Sequence, residues 1–276
     1  MCRWMAWHGQ PVLIDELLFK TEHSLVAQSL HSTMGAEPTN GDGFGVGWYS
    51  SHGAGCYRST QPAWNDRNLK NLAEHIESPL FLAHVRASSG APVQQTNCHP
   101  FAHGNWLMVH NGLINDFGAI KRDLILELDP ESVAAIEGSA DSEVLFHLAL
   151  AHGLEDEPIA ALEKAIGAAE RELLARGVEP EIQASVGVSD GESLWAVRYA
   201  SKGPARTLFH SGDPEVLQRM YPERARLAEL KEGDTIVVSE PLVELPGAWD
   251  EIEEGSALTV APGGAASVRD FKPAAA

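Results

Sequence analysis

The stretch Ile182-Gln183-Ala184-Ser185-Val186-Gly187-Val188-Ser189-Asp190-Gly191-Glu192-Ser193-Leu194-Trp195-Ala196-Val197-Arg198-Tyr199 reads as two strands and a turn. Ile182, Ala184, Val186 and Val188 alternate at the two-residue period of a strand. Asp190-Gly191 is a tight-turn dipeptide, and 194–199 returns, which predicts an antiparallel hairpin. Immediately upstream, Ile159, Leu162, Ile166, Ala169 and Leu173 repeat at three- and four-residue steps, with Pro158 to start a helix and Gly177 to stop it. Phe117, Ile120, Leu124 and Leu128 share another helical face, as do Leu69, Leu72, Ala73 and Ile76. Short apolar runs at 44–49, 80–85 and 106–110 predict strands before this helical block, and 207–210, 235–239 and 257–260 predict strands after it. Antiparallel groups of strands thus flank helices at 115–177, the pattern of an α+β domain. With no linker and no internal repeat in view, the expectation is one domain over 2–262 and a tail over 263–276, frayed at its end.

Composition narrows the function. The chain has 276 residues, enough to bury a core without disulfide or metal staples. Lys and Arg number 20 against 39 Asp and Glu, so the formal charge is −19, which argues against nucleic acid or an anionic membrane as partner. Cys2, Cys56 and Cys98 form no C-x-x-C pair and are odd in number, so neither a disulfide framework nor a zinc site is expected. No run nears the ~20 apolar residues of a membrane span, and the N-terminus has no secretory h-region. The expectation is a cytoplasmic protein with no cofactor and no metal.

Cys2 follows the initiator Met. Once Met1 is removed, this residue carries both a thiol and an α-amine, and such an amine titrates near ~7.7–8.0, where a general base works well. Attack of a thiolate on an amide makes an oxyanion, which needs fixed donors. His110-Asn111-Gly112 can supply an Asn amide and a Gly N–H, although Asn-Gly is equally the dipeptide of a hairpin turn. Arg86 can hold a carboxylate with two parallel hydrogen bonds. Asp141 can hold an ammonium, or serve as the N-cap of the apolar helix that follows it.

Six segments in order carry a resemblance: Met1-Cys2, Asn40-Gly41-Asp42-Gly43-Phe44-Gly45, His84-Val85-Arg86-Ala87-Ser88-Ser89-Gly90, Asn97-Cys98-His99-Pro100-Phe101, His110-Asn111-Gly112 and Asp141-Ser142-Glu143. Together they resemble the class II glutamine amidotransferases, which are N-terminal-nucleophile hydrolases with a four-layer αββα sandwich. The resemblance implies Cys2 as nucleophile, with its own amine as base. It further implies Arg86 on the glutamine carboxylate, Asp141 on the α-ammonium, Asn111 and Gly112 as oxyanion hole, and Ser89 near the substrate. Asn97, His99 and Pro100 are expected to be structural. His84, His110 and His147 are expected to be satisfied framework residues. A Cys98–His99 pair is discounted, since neighbours in a strand point to opposite faces.

Arg3-Trp4 stands where members fused to acceptor domains usually have Gly, and Ala87 where they often have an aromatic residue. Both lean toward the stand-alone subgroup that begins Met-Cys-Arg, which includes YafJ-type proteins and the γ-glutamyl hydrolase of ergothioneine biosynthesis. The implied activity is hydrolysis of glutamine or a γ-glutamyl conjugate through a Cys2 thioester. The alternatives are an ammonia-donating subunit serving a separate acceptor enzyme, and a non-catalytic binding protein that keeps the fold.

Overall fold

A computed structural model describes residues 2–31, 34, 39–88, 90–220 and 230–273. Two antiparallel sheets face each other. The first has seven strands in the order β11 (Trp249–Glu251), β9 (Phe209–Ser211), β10 (Thr235–Val238), β1 (Arg3–Leu13), β4 (Glu77–Val85), β2 (Phe44–Ser50) and β3 (Gly53–Ser59). The second runs β13 (Ala266–Asp270), β12 (Ser256–Val260), β8 (Leu194–Ala200), β7 (Ile182–Ser189), β6 (Trp106–Ile114) and β5 (Phe101–His103). Helices α1 (Ile14–Leu18), α2 (Leu25–Leu30) and α3 (Arg67–Ala73) accompany the first sheet, and α8 (Pro214–Met220) follows β9. Between β6 and β7 come α4 (Phe117–Leu126), α5 (Pro130–Ala135), α6 (Asp141–Ala151) and α7 (Pro158–Ala175).

Alternation along the strands builds three layers of core. In β1, Trp4 and Ala6 point between the sheets, while Met5 and Trp7 point toward Leu18, Leu25 and Leu69 of α1 to α3. In β6, Leu107 and Val109 point between the sheets, while Met108 and Ile114 join Val144, Phe146, Leu162 and Ile166 of α6 and α7. The result is a four-layer αββα sandwich. The sheets close because small residues face large ones. Trp4 Nε1 donates to Ser185 Oγ at 3.0 Å across the gap, and a Cβ at Gly187 would stand 2.8 Å from the Trp4 ring.

The hairpin around Asp190-Gly191 forms as read, with Val186 opposite Val197. Three expectations change. The strand expected at 207–210 is β9 at Phe209–Ser211, and the Asn111-Gly112 dipeptide lies inside β6, opposite Ser185 and Ala184, and makes no turn. The segment 263–276, expected as a tail, contains β13, which pairs along the whole of β12. The positive φ of Gly263 and Gly264 folds the chain back there, and β13 is exposed along its length, so it carries no apolar pattern to read. The last residues, 274–276, lie outside the described residues.

Candidate active site

Cys2 stands at the head of β1, the central strand of its sheet, and every neighbour of that strand helps fix it. Trp4 exchanges hydrogen bonds with Ser239: its N–H donates to Ser239 Oγ at 3.1 Å, and its carbonyl accepts from Ser239 N–H at 2.9 Å. Arg3 is buried with Glu240 in a 2.9 Å ion pair, and its Nη1 donates to the Cys2 carbonyl at 2.9 Å. The Cys2 thiol is thereby held against Ala87, 3.5 Å from the carbonyl oxygen. Burial pushes this thiol above its ordinary value, opposed in smaller measure by the Ala87 hydrogen bond and the Arg86 charge. The sulfur is therefore a neutral thiol near pH 7 and needs a base to attack.

A cavity of about 600 Å³ opens beside it. Arg86, Gly112 and Asp141 line this cavity with Cys2. Arg86 follows β4 directly and is 4% exposed. Its Nη2 donates to Ser88 Oγ and to the Ala91 carbonyl, both at 3.1 Å, while Nη1 is buried with no partner among the described residues. The Asn40–Gly43 loop clamps this segment: Arg86 N–H donates to the Gly43 carbonyl at 2.8 Å, and Ser88 N–H to Asp42 Oδ2 at 2.8 Å.

Asp141 is the first residue of α6, whose N-cap is Ala140. Its Oδ2 accepts from Ile114 N–H at 3.0 Å and its Oδ1 from Ser142 N–H at 2.8 Å. The side chain thus ties α6 to β6 as well as facing the cavity. Asn97 sets the approach, accepting at Oδ1 from Ser139 N–H at 2.8 Å and Ala140 N–H at 3.2 Å.

Gly112 owes its orientation to the end of a neighbouring strand. β5 pairs with β6 only through Met108, so beyond it one edge of β6 is free of strand. In an antiparallel strand the N–H and C=O of one residue point the same way, and alternate residues repeat the direction. His84 Nε2 reaches the His110 carbonyl at 3.2 Å on that edge, and Ile114 N–H meets Asp141 there. Gly112, midway between, turns its N–H to the same side, toward the cavity. Gly is required because a Cβ would collide with the Gln183 carbonyl and His110 Nε2. Asn111 is buried next to it, on the β6 face that turns between the sheets, and is not part of the cavity lining. Ser89 lies outside the described residues.

The histidines differ from expectation in part. Burial drives the His84 imidazole down to about 3, with the Arg86 charge adding to it, and burial likewise lowers His99, His110 and His147. All four are neutral near pH 7. They are not fully satisfied: His84 Nδ1, His147 Nδ1 and both ring nitrogens of His99 are buried without partners among the described residues. His110 is satisfied. Its Nε2 faces the Gln183 carbonyl at 3.2 Å and so carries the proton, which leaves Nδ1 to accept from Ser142 Oγ at 2.8 Å. Cys98 and His99 are not in a strand, contrary to the reason given for discounting them. They follow the one-turn helix Gln95–Asn97, where Cys98 Sγ lies 3.4 Å from the Ser59 carbonyl.

The sequence reading did not place Ser139, Phe117 or Lys121 at the site, and all three line the cavity; Phe117 was read only as part of a helical face. A lysine on an amphipathic helix reads as an ordinary solvated residue, and only the α4–α6 packing brings it inward. Among the described residues, no three His, Cys, Asp or Glu side chains converge as metal ligands, and no helix is long and apolar enough to cross a membrane.

Two antiparallel sheets between helical layers, with a cysteine leading the central strand of one, define the αββα sandwich of the N-terminal-nucleophile hydrolases. The model of the family "Glutamine amidotransferases class-II" matches residues 19–272. The chain belongs to that family. It is 33% identical to the "Probable glutamine amidotransferase DUG3" of Saccharomyces cerevisiae, over 94% of this chain and 82% of that protein. It is 29% identical to the gamma-glutamyl-hercynylcysteine sulfoxide hydrolase of Mycolicibacterium smegmatis, over 79% of this chain and 86% of that one. Among solved structures it is similar to a glutamine aminotransferase class-II domain protein from Silicibacter pomeroyi. That likeness has a TM-score of 0.73 at 34% identity and covers 99% of this chain and 100% of the other.

Proposed function

We propose that this protein is a γ-glutamyl amide hydrolase that works through a Cys2 thioester. The observation that carries the reading is the convergence on one cavity of the Cys2 thiol, the unpartnered Nη1 of Arg86, the Asp141 carboxylate and the inward N–H of Gly112. Arg86 takes the α-carboxylate of the glutamyl group and Asp141 its α-ammonium, which sets the γ-amide at Cys2. Removal of Met1 frees the Cys2 amine. That amine takes the thiol proton, and sulfur bonds to the amide carbon. The oxyanion is held by Gly112 N–H and by the Asn111 side-chain amide, which would reach it from the between-sheet face of β6 and not from the cavity lining. The C–N bond then breaks, and the ammonium of Cys2 returns the proton to the departing amine. Water, deprotonated by the same amine, attacks the thioester and releases glutamate and the free thiol.

When glutamine is the substrate the departing amine is ammonia, which a separate acceptor enzyme could consume. Three free thiols suit a reducing compartment, and we assign the protein to the cytoplasm. The test offers glutamine and a panel of γ-glutamyl amides to the purified protein and measures glutamate. Release that is lost in Cys2→Ala supports the hydrolase. Silence on every amide, followed by activity on adding cell extract, supports a partnered amidotransferase instead.

A further inference from the structure

We propose that His110 is a positioning residue for substrate binding. Its Nδ1 takes the Ser142 hydroxyl proton and keeps that proton off Asp141, which leaves the carboxylate open to the α-ammonium. This rests on the hydrolase reading and adds to it the groups that stand behind Asp141.

Ser142 is the second residue of α6 and is buried beside Asp141. Its Oγ stands 2.8 Å from His110 Nδ1 and 3.2 Å from Asp141 Oδ1, two acceptors for one hydroxyl proton. A third group decides between them. The Gln183 carbonyl, 3.2 Å from His110 Nε2, can only accept, so the ring proton sits on Nε2 and Nδ1 offers a bare lone pair. Burial keeps the ring neutral near pH 7. The contact is built into the sheet. His110 and Gly112 lie on the same face of β6, and the missing Gly112 side chain leaves the space in which ring and carbonyl meet.

The carboxylate has little to spare. An ionised carboxylate offers about four lone-pair positions. Ile114 N–H takes one on Oδ2, and Ser142 N–H takes one on Oδ1. The α-ammonium brings three N–H groups to what remains. It also approaches the N-terminus of α6, where the helix dipole repels a cation. A hydroxyl donated to Oδ1 would fill a third position and offset part of the charge that the substrate needs. His110 draws that hydroxyl away.

The test compares kcat/KM for glutamine and γ-L-glutamylglycine with that for glutaramate and glutarylglycine, the same amides without the α-amino group. Each ratio reads recognition of the ammonium, and losses in folding or in the chemical step cancel from it. The native protein should favour the amino substrate by at least about tenfold, the range of a hydrogen bond to a charged group. His110→Phe, which offers no acceptor, should lower the ratio about fivefold. His110→Gln, whose amide oxygen can accept, should keep it. Ser142→Ala should keep it too, and adding Ser142→Ala to His110→Phe should restore it, since no hydroxyl is left to divert. Two merely structural losses would not cancel in this way. A ratio unchanged in His110→Phe, or one not restored in the double variant, overturns the proposal. Imidazole 15N NMR of the native protein gives a second reading if His110→Phe is unstable. It should show His110 protonated at Nε2, and protonation at Nδ1 overturns the proposal. A native ratio near one removes Asp141 from ammonium binding and His110 with it. Silence on all four amides overturns the hydrolase reading itself.

Discussion

Arg86 is buried, bound through Nη2 to Ser88 and Ala91, and open only at Nη1. A lysine there keeps the charge and loses the planar fork. Arg86→Lys should therefore raise KM for γ-glutamyl substrates strongly while kcat changes less, and Asp141→Asn should do the same for the ammonium. Steady-state kinetics that show a lower kcat at unchanged KM would contradict this division of roles. Asn111→Ala should act the other way, lowering kcat by roughly 10²–10³-fold with little change in KM. The histidines carry a different prediction. His84 titrates at about 3 when folded and near ~6.5 when unfolded, so the unfolded chain binds more protons between those values. The stability that His84 contributes is complete above pH ~6.5 and is lost as pH falls toward 3. His99, His110 and His147 are shifted in the same direction. Tm should fall steadily as pH drops from 7 to 5, and a flat Tm over that range would contradict the buried neutral imidazoles. At this scale the sequence was informative where a polar residue borders an apolar run, as Arg86 does after 81–85 and Asp141 does before the run at 144–151. It was silent on Lys121, whose place at the cavity depends on a neighbour eighteen positions away in the chain, Ser139.

Between β1 and β7, Trp4 packs over Gly187 and bonds to Ser185. Trp4 is fully buried and hydrogen-bonded to Ser185, so its ring has no room to retreat from a Cβ at Gly187, 2.8 Å away. Gly187→Ala should cost about 1–3 kcal/mol in denaturant unfolding. It should also reduce turnover, because Trp4 anchors the strand that presents Cys2. Unchanged stability would mean that the sheets are not held at this spacing by Trp4. The same contact explains why β1 was not read from the sequence. Arg3 to His8 are buried on both faces, between helices on one side and the second sheet on the other, so Trp4, Met5, Ala6 and Trp7 show no alternation. The β7–β8 hairpin was legible because its turn is Asp-Gly and its apolar positions alternate. β3 and β13 were not, since their side chains are half-exposed or exposed.

The whole molecule brings together residues that lie far apart in the sequence: Cys2 from the first sheet, Gly112 from the second, and Asp141 from the helical layer over it. Only the four-layer stacking makes them neighbours, which is why periodicity alone could give α+β but not a site. The six ordered motifs supplied the family, whereas the size of the cavity came from the packed chain. The central claim is that a Cys2 exposed by loss of Met1 forms a γ-glutamyl thioester. Intact-protein mass spectrometry after acid quench of the protein turning over a γ-glutamyl amide tests it most directly. The account predicts a chain lacking Met1 that carries one γ-glutamyl group, mapped by peptide digestion to Cys2 and absent from Cys2→Ala. A fully active chain that retains Met1, or a glutamyl group mapped to another residue, would contradict it.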